Sequence, residues 1–172
     1  MNTPQPRTQT TKFTERSLTL RSLLDDLLAD GLIEQEDLLR LSGQSRSKAE
    51  TEMHPLSYIA SQQLLNRQEP TQKLLMPALL KWLSDTSSQP VAHIDPMKID
   101  VRGVTAVMSF AFAKRHAILA LEVNNDDIVI ASAQPFLSSW EQGLAHTSKK
   151  RIVRVLANPD DISRYTVEFY SL

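Results

Sequence analysis

The hydrophobic pattern changes at residues 84–90, "SDTSSQP", and this change limits the possible folds more than any other feature. Before it, leucines recur three and four positions apart, which places them on one face of a helix. After it, runs rich in Ile and Val alternate with helical stretches, as in α+β proteins. We therefore predict an α+β protein with a helical subdomain over residues 17–84, a linker over 85–90 and a small α+β domain over 91–172.

The first part is predicted to hold about four helices. The first should end at Asp30-Gly31, because glycine readily adopts the left-handed conformation that closes a helix. The segments "EQEDLLRLS", "HPLSYIASQQLL" and "TQKLLMPALLKWLS" predict three more helices, and Pro77 should kink the last one or delay its start. The polar stretch "GQSRSKAETEM" is interpreted as a loop. Residues 1–16, which are polar and rich in Thr and Pro, are interpreted as a disordered tail.

The second part is predicted to form two layers around a mainly antiparallel sheet. "AILALEV" and "DIVIASA" flank the turn-forming residues 124–126 and predict a hairpin, and "VAHI" and "RIVRVLA" predict two further strands. Asp100 is expected to cap one helix over "VRGVTAVMSFAFAKRH", "FLSSWEQGLAHTS" predicts another, and Asp160 is expected to cap the last. A ferredoxin-like strand order and other two-layer arrangements both fit this pattern.

Composition excludes several function classes. The net charge of -1 leaves no electrostatic footprint for nucleic acid. The chain has no cysteine, and its four glycines, at positions 31, 43, 103 and 143, are too far apart for a phosphate-binding loop. No apolar run approaches the roughly 20 residues of a membrane span. We expect a cytoplasmic protein that neither inserts into the membrane nor hydrolyses ATP by itself.

No reactive group of side chains is evident, so we predict no catalytic residue and no metal site. The four histidines lack the spacing of metal ligands, and most aspartates lie where helix caps and turns need them. One basic run, Lys149, Lys150 and Arg151, precedes a predicted strand. It is either a solvated corner of the domain or a surface for an acidic partner.

The helical part contains an internal similarity between residues 22–33 and 54–65. In both segments a helix ends and an apolar pair follows, and a second apolar helix comes after each. Aligned positions are Leu27 with Ile59, Leu28 with Ala60, Gly31 with Gln63, and Leu32 with Leu64. Two leucine-rich helices can also align this well by chance, so the segments are either a true repeat or a coincidence.

Several sequence segments without a simple repeat pattern resemble the N-terminal region of the GspE/PulE family, the cytoplasmic ATPases of type II secretion and type IV pilus assembly. The segments are "HPLSYIA", "HIDPMKIDVRGVTAVMSFAFAKRHAILALEV", "IASAQPF" and "ISRYTVEFYSL". The resemblance covers roughly residues 17–172 and implies a helical subdomain followed by a small α+β domain. In that family an ATPase core with a P-loop and a Walker B motif follows, and it binds ATP and Mg²⁺; neither motif occurs in this chain.

The resemblance implies a non-catalytic docking and regulatory region. Its expected partners are the cytoplasmic part of a GspL-like inner-membrane platform protein and the chain's own ATPase domain. Such a protein would be cytoplasmic and peripheral to the bacterial inner membrane, held there through its partners.

The resemblance also implies an alternative, a cyclic di-GMP sensor. MshEN-type relatives bind this nucleotide through two copies of a motif that begins Arg-Leu-Gly. Here Ser22 and His54 stand at the arginine positions and Leu24 and Leu56 at the first glycines, so the motif is degenerate. The ligand-binding candidates are Arg21, Ser22, Leu27, Leu28, Gly31, His54 and Ile59.

Overall fold

A computed structural model describes residues 15–172. Within these residues the chain forms nine α-helices, one 3-10 turn and one three-stranded sheet, so the predicted α+β fold with a helical N-terminal part is confirmed. The helices are α1 (Leu20–Ala29), α2 (Gln35–Gly43), α3 (Lys48–Glu52), α4 (Pro55–Ser61), α5 (Met76–Ser87), α6 (Val101–Thr105), α7 (Phe110–His116), α8 (Glu141–Ser148) and α9 (Pro159–Tyr170). The strands are β1 (Ile118–Val123), β2 (Asp127–Ser132) and β3 (Arg151–Leu156).

Local capping explains the helix boundaries in the first part. Thr19 and Ser22 form a capping box at the start of α1, and Gly31, with φ +78°, follows its end as predicted. The stretch predicted as a loop contains the short helix α3, because Ser47 accepts a hydrogen bond from the Glu50 N–H and starts a turn there. Helix α5 begins only at Met76, so the delayed start expected from Pro77 is confirmed.

The second part departs from the predicted elements at three places. "VAHI" is not a strand; Val91 alone forms a bridge to Leu156. The single helix expected after Asp100 is split into α6 and α7, because Ser109 accepts a hydrogen bond from the Phe112 N–H and starts a new helix. The last helix is capped by Asn158, and Asp160 lies in its first turn instead.

The sheet has the order β1-β2-β3. The predicted hairpin is confirmed: β1 and β2 are antiparallel, with an irregularity between Ala120 and Glu122. Strand β3 pairs with β2 in parallel, and α8 forms the connection between them. The sheet is therefore mixed, which differs from the mainly antiparallel sheet expected. A parallel neighbour requires a crossover, and "FLSSWEQGLAHTS" supplies it.

Buried residues connect the two parts. One apolar core lies in the helical part, and it also contains Leu156 of β3 and contacts Phe136. A second core lies between the sheet and helices α6 to α9. Helix α4 contacts both α1 and α9, so it sits between the parts.

The predicted linker over 85–90 is wrong in its first half, because α5 continues to Ser87. Ser88 then adopts φ +60°, and the Ser84 hydroxyl donates a hydrogen bond to the Gln89 carbonyl oxygen at 2.6 Å. The Gln89 side-chain amide donates to the Pro135 carbonyl oxygen at 3.2 Å. The connection is short and held on both sides.

The predicted disordered tail is wrong for Glu15 and Arg16, and its other residues lie outside the described ones. A Glu15 carboxylate oxygen accepts hydrogen bonds from the backbone N–H of Ser138 at 2.5 Å and from its hydroxyl at 2.9 Å. The Arg16 guanidinium lies 4.2 Å from the centre of the Phe136 ring. These contacts tie the start of the described chain to the loop after β2.

Candidate functional site

The two aligned segments of the helical part share a backbone feature at one aligned position. Gly31 and its aligned partner Gln63 both have positive φ, +78° and +51°. Their N–H groups donate to equivalent carbonyl oxygens, Gly31 to Leu28 at 3.0 Å and Gln63 to Ala60 at 3.2 Å. Helices α1 and α4 pack against each other. The second copy differs after Leu64, since its following helix starts only at Met76.

Apolar side chains fill the positions where the family's nucleotide-binding motif has its first glycine. Leu24 and Leu56, which stand there, are both 0% exposed. The candidates Leu27 and Ile59 are also 0% exposed and belong to the same core. Glycine at such a position lets a ligand approach the backbone, whereas a buried leucine covers it. These side chains act as packing residues in this chain.

The polar candidates of the first copy interact locally. Arg21 is exposed and forms an ion pair with Asp25 one turn later, at 3.1 Å. The Ser22 hydroxyl interacts with Thr19 in the capping box. Gly31 is exposed, and Leu28 is half-buried. Both polar side chains already have partners at the N-terminus of α1, and neither replaces the motif's arginine.

His54 is the sequence candidate with the most informative contacts. Its Nδ1 accepts a hydrogen bond from the Leu56 N–H at 3.0 Å and thereby caps α4. Its Nε2 lies 2.7 Å from the Ala133 carbonyl oxygen, so Nε2 carries the proton and donates. Burial lowers the pKa of His54 below its usual value, while the Ala133 hydrogen bond and the charge of Asp160 act in the opposite direction. A neutral imidazole therefore joins the two parts of the molecule.

The basic run at residues 149–151 is partly neutralised by the hairpin turn. Lys150 Nζ donates to the carbonyl oxygens of Asn124 at 2.8 Å and Asn125 at 3.0 Å. Arg151 binds both carboxylate oxygens of Asp127, at 2.8 and 3.2 Å. Lys149 is exposed at the end of α8, where it has φ +59°. Two of the three cations therefore hold β3 to the hairpin.

A cavity of about 120 Å³ lies beside His54, and sequence reasoning missed it. It runs between α7 and α9, and its floor contains Ala133 and Gln134 from the loop after β2. We call this cavity and its rim the α7–α9 groove. The rim includes two apolar side chains that are unusually exposed, Phe110 (38%) and Val167 (54%).

A second missed feature is the buried ion pair of Arg154. Its side chain is only 10% exposed and binds Glu141 at 2.5 Å. The same guanidinium donates to the Ser132 hydroxyl and the Gln134 carbonyl oxygen, and it lies 4.7 Å from the centre of the Trp140 ring. Its position was readable from "RIVRVL", because alternation in a strand puts Arg154 on the same face as buried Leu156. The cluster holds the groove's floor loop against β3.

The described residues offer no site for a metal ion, since they contain no group of three or more His, Asp or Glu side chains that could hold one. In the described part of the chain, no helix is long and apolar enough to cross a membrane. The geometry thus offers a neutral bridging histidine, a buried ion pair and an open apolar groove.

Comparison with known proteins finds a matching family, a relative and two solved structures with a similar fold. The MshEN domain family matches residues 87–172. The type IV pilus assembly ATPase TfpB of Acinetobacter baylyi is 37% identical over 150 residues, which are 87% of this chain and 26% of TfpB. This chain therefore spans about a quarter of the length of that relative.

Two solved structures share the fold. The structure of MshE with cdg has a TM-score of 0.51 at 17% identity and covers 89% of this chain and 99% of its own. The N-terminal domain of XpsE also has a TM-score of 0.51, at 11% identity, and covers 90% of this chain and 99% of its own. At these identities the likeness concerns the fold alone. The family boundary at residue 87 coincides with the end of α5.

Proposed function

Because this chain belongs to the MshEN domain family of GspE-type ATPase N-terminal regions, we propose that it is the docking and regulatory region of such an ATPase. It binds the cytoplasmic part of a GspL-like inner-membrane platform protein and holds the motor there. It does not catalyse a reaction itself. ATP and Mg²⁺ belong to the ATPase domain, which is its second partner. The protein works in the cytoplasm, peripheral to the inner membrane.

The observation that carries this proposal is the family match over residues 87–172, half of the chain. The matched half presents an open apolar groove and a basic corner, and several of its polar side chains, among them Arg151 and Arg154, are engaged in ion pairs. Open apolar surface bordered by polar residues is typical of protein interaction sites. The identity to TfpB favours pilus assembly over secretion for the parent system.

The proposal is tested by measuring binding of this chain to purified cytoplasmic domains of the inner-membrane platform proteins of the same bacterium. We expect saturable binding to one of them by biolayer interferometry, and no binding to an unrelated cytoplasmic protein of similar charge. The absence of binding to every platform domain would contradict the docking function. ATP hydrolysis by this chain should stay at the background rate, and turnover above background would contradict a non-catalytic role.

The alternative function is cyclic di-GMP sensing by the helical part. The observation in its favour is the equivalent backbone at Gly31 and Gln63, which preserves the layout of two motif copies. Calorimetry with cyclic di-GMP tests it on the natural chain and on the Ser22→Arg/His54→Arg variant. Arginine supplies the charge-assisted contact to a phosphate that this chain lacks at both positions. Heat of binding in the natural chain would support sensing, and a flat trace at high micromolar ligand would exclude it.

A further inference from the structure

We propose that the α7–α9 groove is the surface on which the partner docks, and that it takes a segment carrying one large apolar side chain beside a carboxylate. This inference rests on the proposed docking function and names the part of the surface that performs it. Neither the family match nor the relatives assign a role to this groove. Its size, walls, rim and charge each define one property of the occupant.

The size of the groove fits one large side chain. Its volume is about 120 Å³, and apolar cavities of about 150 Å³ hold a benzene-sized group. Its walls come from small or apolar residues on both helices, including Ala113, Ala117 and Ile162. Ala113 and Ile162 are 0% and 3% exposed, so the wall belongs to a packed core and keeps its shape. A leucine side chain would fill this space, and a phenylalanine ring would be enclosed in part.

The rim is exposed and apolar, and contacts with neighbouring residues fix its aromatic side chain. The Phe110 ring packs against Tyr170, with 5.6 Å between the ring centres. The Tyr170 hydroxyl donates a hydrogen bond to the Met108 carbonyl oxygen at 2.9 Å. Val167 completes the rim from α9 and is 54% exposed. A rim already fixed by such contacts loses little side-chain freedom when a partner binds.

The charge of the groove selects an acidic neighbour for the apolar side chain. Lys114 lines the groove, and its Nζ lies 5.8 Å from the centre of the Phe110 ring. Among the described residues that line the groove, none is Asp or Glu, and His54 is neutral. A carboxylate placed beside the apolar anchor would therefore be attracted by Lys114; Asp160, which is not a lining residue, acts on His54 and accepts a hydrogen bond from Ser57. Such complementarity favours correct partners and speeds association.

The floor of the groove connects the docking site to the helical part. His54 reaches the floor from α4 and donates to the Ala133 carbonyl oxygen at 2.7 Å. The Gln134 side-chain oxygen accepts from the Leu18 N–H at 2.8 Å. A side chain that enters the groove therefore contacts residues fixed from both parts of the molecule.

The test compares two groove variants with two matched controls in the binding assay against the platform domain. Val167→Glu puts an acid at the exposed apolar rim, and Leu39→Glu makes the same kind of change at a site that is 62% exposed on α2, outside the groove. Lys114→Glu reverses the groove cation, and Lys98→Glu reverses an exposed lysine elsewhere. All four positions are exposed, so folding should be retained, which circular dichroism checks.

We expect Val167→Glu and Lys114→Glu each to weaken binding about tenfold or more, as for residues at the centre of an interface. The two controls should bind within about twofold of the natural chain, since changes outside an interface centre have little effect. If the natural chain binds and both groove variants bind equally well, the groove proposal is overturned while the docking function stands.

A second measurement keeps the groove testable if no platform domain binds. A photo-crosslinking amino acid is placed at position 167 or, as control, at position 39, and crosslinked partners in the native bacterium are identified with their contact segment by mass spectrometry. Crosslinks from position 167 alone, to an apolar segment next to Asp or Glu, support the groove. If that segment belongs to a protein other than a platform protein, the groove proposal holds and the platform function fails. No specific crosslink from position 167 overturns the groove.

Discussion

His54 shows how one residue can serve both local and long-range structure. Its two ring nitrogens act on different parts of the molecule: Nδ1 caps α4, and Nε2–H reaches the loop after β2. The Nδ1 contact requires the neutral ring, because a protonated Nδ1 no longer accepts a hydrogen bond, whereas Nε2–H donates in either protonation state. The residue resembled a phosphate ligand only by its place in the motif. In the structure it is a bridge between the two parts.

The protonation of His54 makes stability depend on pH. Because burial depresses its folded-state pKa, the unfolded chain binds the proton more readily, so the stabilisation is present above the unfolded value near 6.5 and is lost as the pH falls below it. Urea unfolding of the natural chain should show this loss between pH 7.5 and 5.5. His54→Asn keeps a capping oxygen but loses the bridge, so we expect a loss of about 1 kcal/mol at pH 7.5 and a smaller pH dependence. An unchanged pH dependence would show that His54 does not control it.

Substitutions at Gly31 and Gln63, which occupy equivalent backbone positions, should change the free energy of unfolding in opposite directions. At Gly31 a Cβ would meet no atom within 4 Å, so Gly31→Ala should cost only backbone strain, about 1–2 kcal/mol. Gln63 is exposed and holds φ +51°, so Gln63→Gly should stabilise the chain by about 0.5–1 kcal/mol. The free energies of unfolding of both variants check this. Two changes of the same sign would contradict the equivalence of the two turns.

At the scale of elements, the buried ion pair between α8 and β3 explains how the crossover is held. Arg154 of β3 meets Glu141 in the first turn of α8, and Trp140 lies beside the guanidinium. Glu141 is 31% exposed while Arg154 is 10% exposed, so the cation is the more costly partner to leave alone. The pair therefore fixes where α8 lies over the sheet.

Removing either partner of this pair should have unequal effects. Glu141→Ala leaves a buried guanidinium without its counter-charge, and we expect a loss of about 2 kcal/mol. Arg154→Met removes the charge and keeps an apolar side chain, so its loss should be clearly smaller. The double variant should be more stable than Glu141→Ala alone. Chemical denaturation of the three variants tests this ordering, and an equal loss in both single variants would contradict it.

Elements with strong periodicity could be predicted from the sequence, and those decided by a single cap could not. The hairpin and the helices at α1, α2 and α9 follow from apolar spacing. The split between α6 and α7 depends on Ser109, although the apolar spacing continues across it. The Ser109 hydroxyl accepts a hydrogen bond from the Phe112 N–H and so starts a new helix. "VAHI" has strand propensity but finds a partner only at Leu156, because β3 ends there and leaves no strand beside the later residues of this parallel pairing.

The candidate site was less predictable than the fold. The two similar segments could be found by alignment, and Leu24 and Leu56 show only that both segments pack into the core. The groove could not be found, because its walls come from α7 and α9, which lie far apart in sequence. Contacts between distant elements depend on how the sheet orders its strands, and the parallel placement of β3 was not foreseen.

At the scale of the whole molecule, the two parts pack too closely to be independent. Leu156 of the sheet is buried in the helical core, and the Ser57 hydroxyl donates to Asp160 of α9 at 3.0 Å. Glu15 and Arg16 add contacts from the start of the described chain to the loop after β2. A residue of one part that is buried in the core of the other part favours unfolding in one step.

This packing predicts that both parts unfold together. The two tryptophans report separately, because Trp82 lies in the helical core and Trp140 in the second core. The variant Trp140→Phe reports on Trp82 alone, and Trp82→Phe reports on Trp140 alone. In each variant, the urea midpoint from tryptophan fluorescence should coincide with the midpoint from circular dichroism. Two separate transitions within one variant would show that the parts are independent and that a hinge at residues 88–90 is real.

Ser88, Gln89 and Pro90 alone separate the end of α5 from Val91, which is bridged to Leu156. The Ser84 hydroxyl donates a hydrogen bond to the Gln89 carbonyl oxygen, so even these three residues have little conformational freedom. We therefore expect a rotation of α5 about its axis to move Val91 and, through its bridge, Leu156 at the end of β3. A force that acts on the helical part would in this way be transmitted to the sheet.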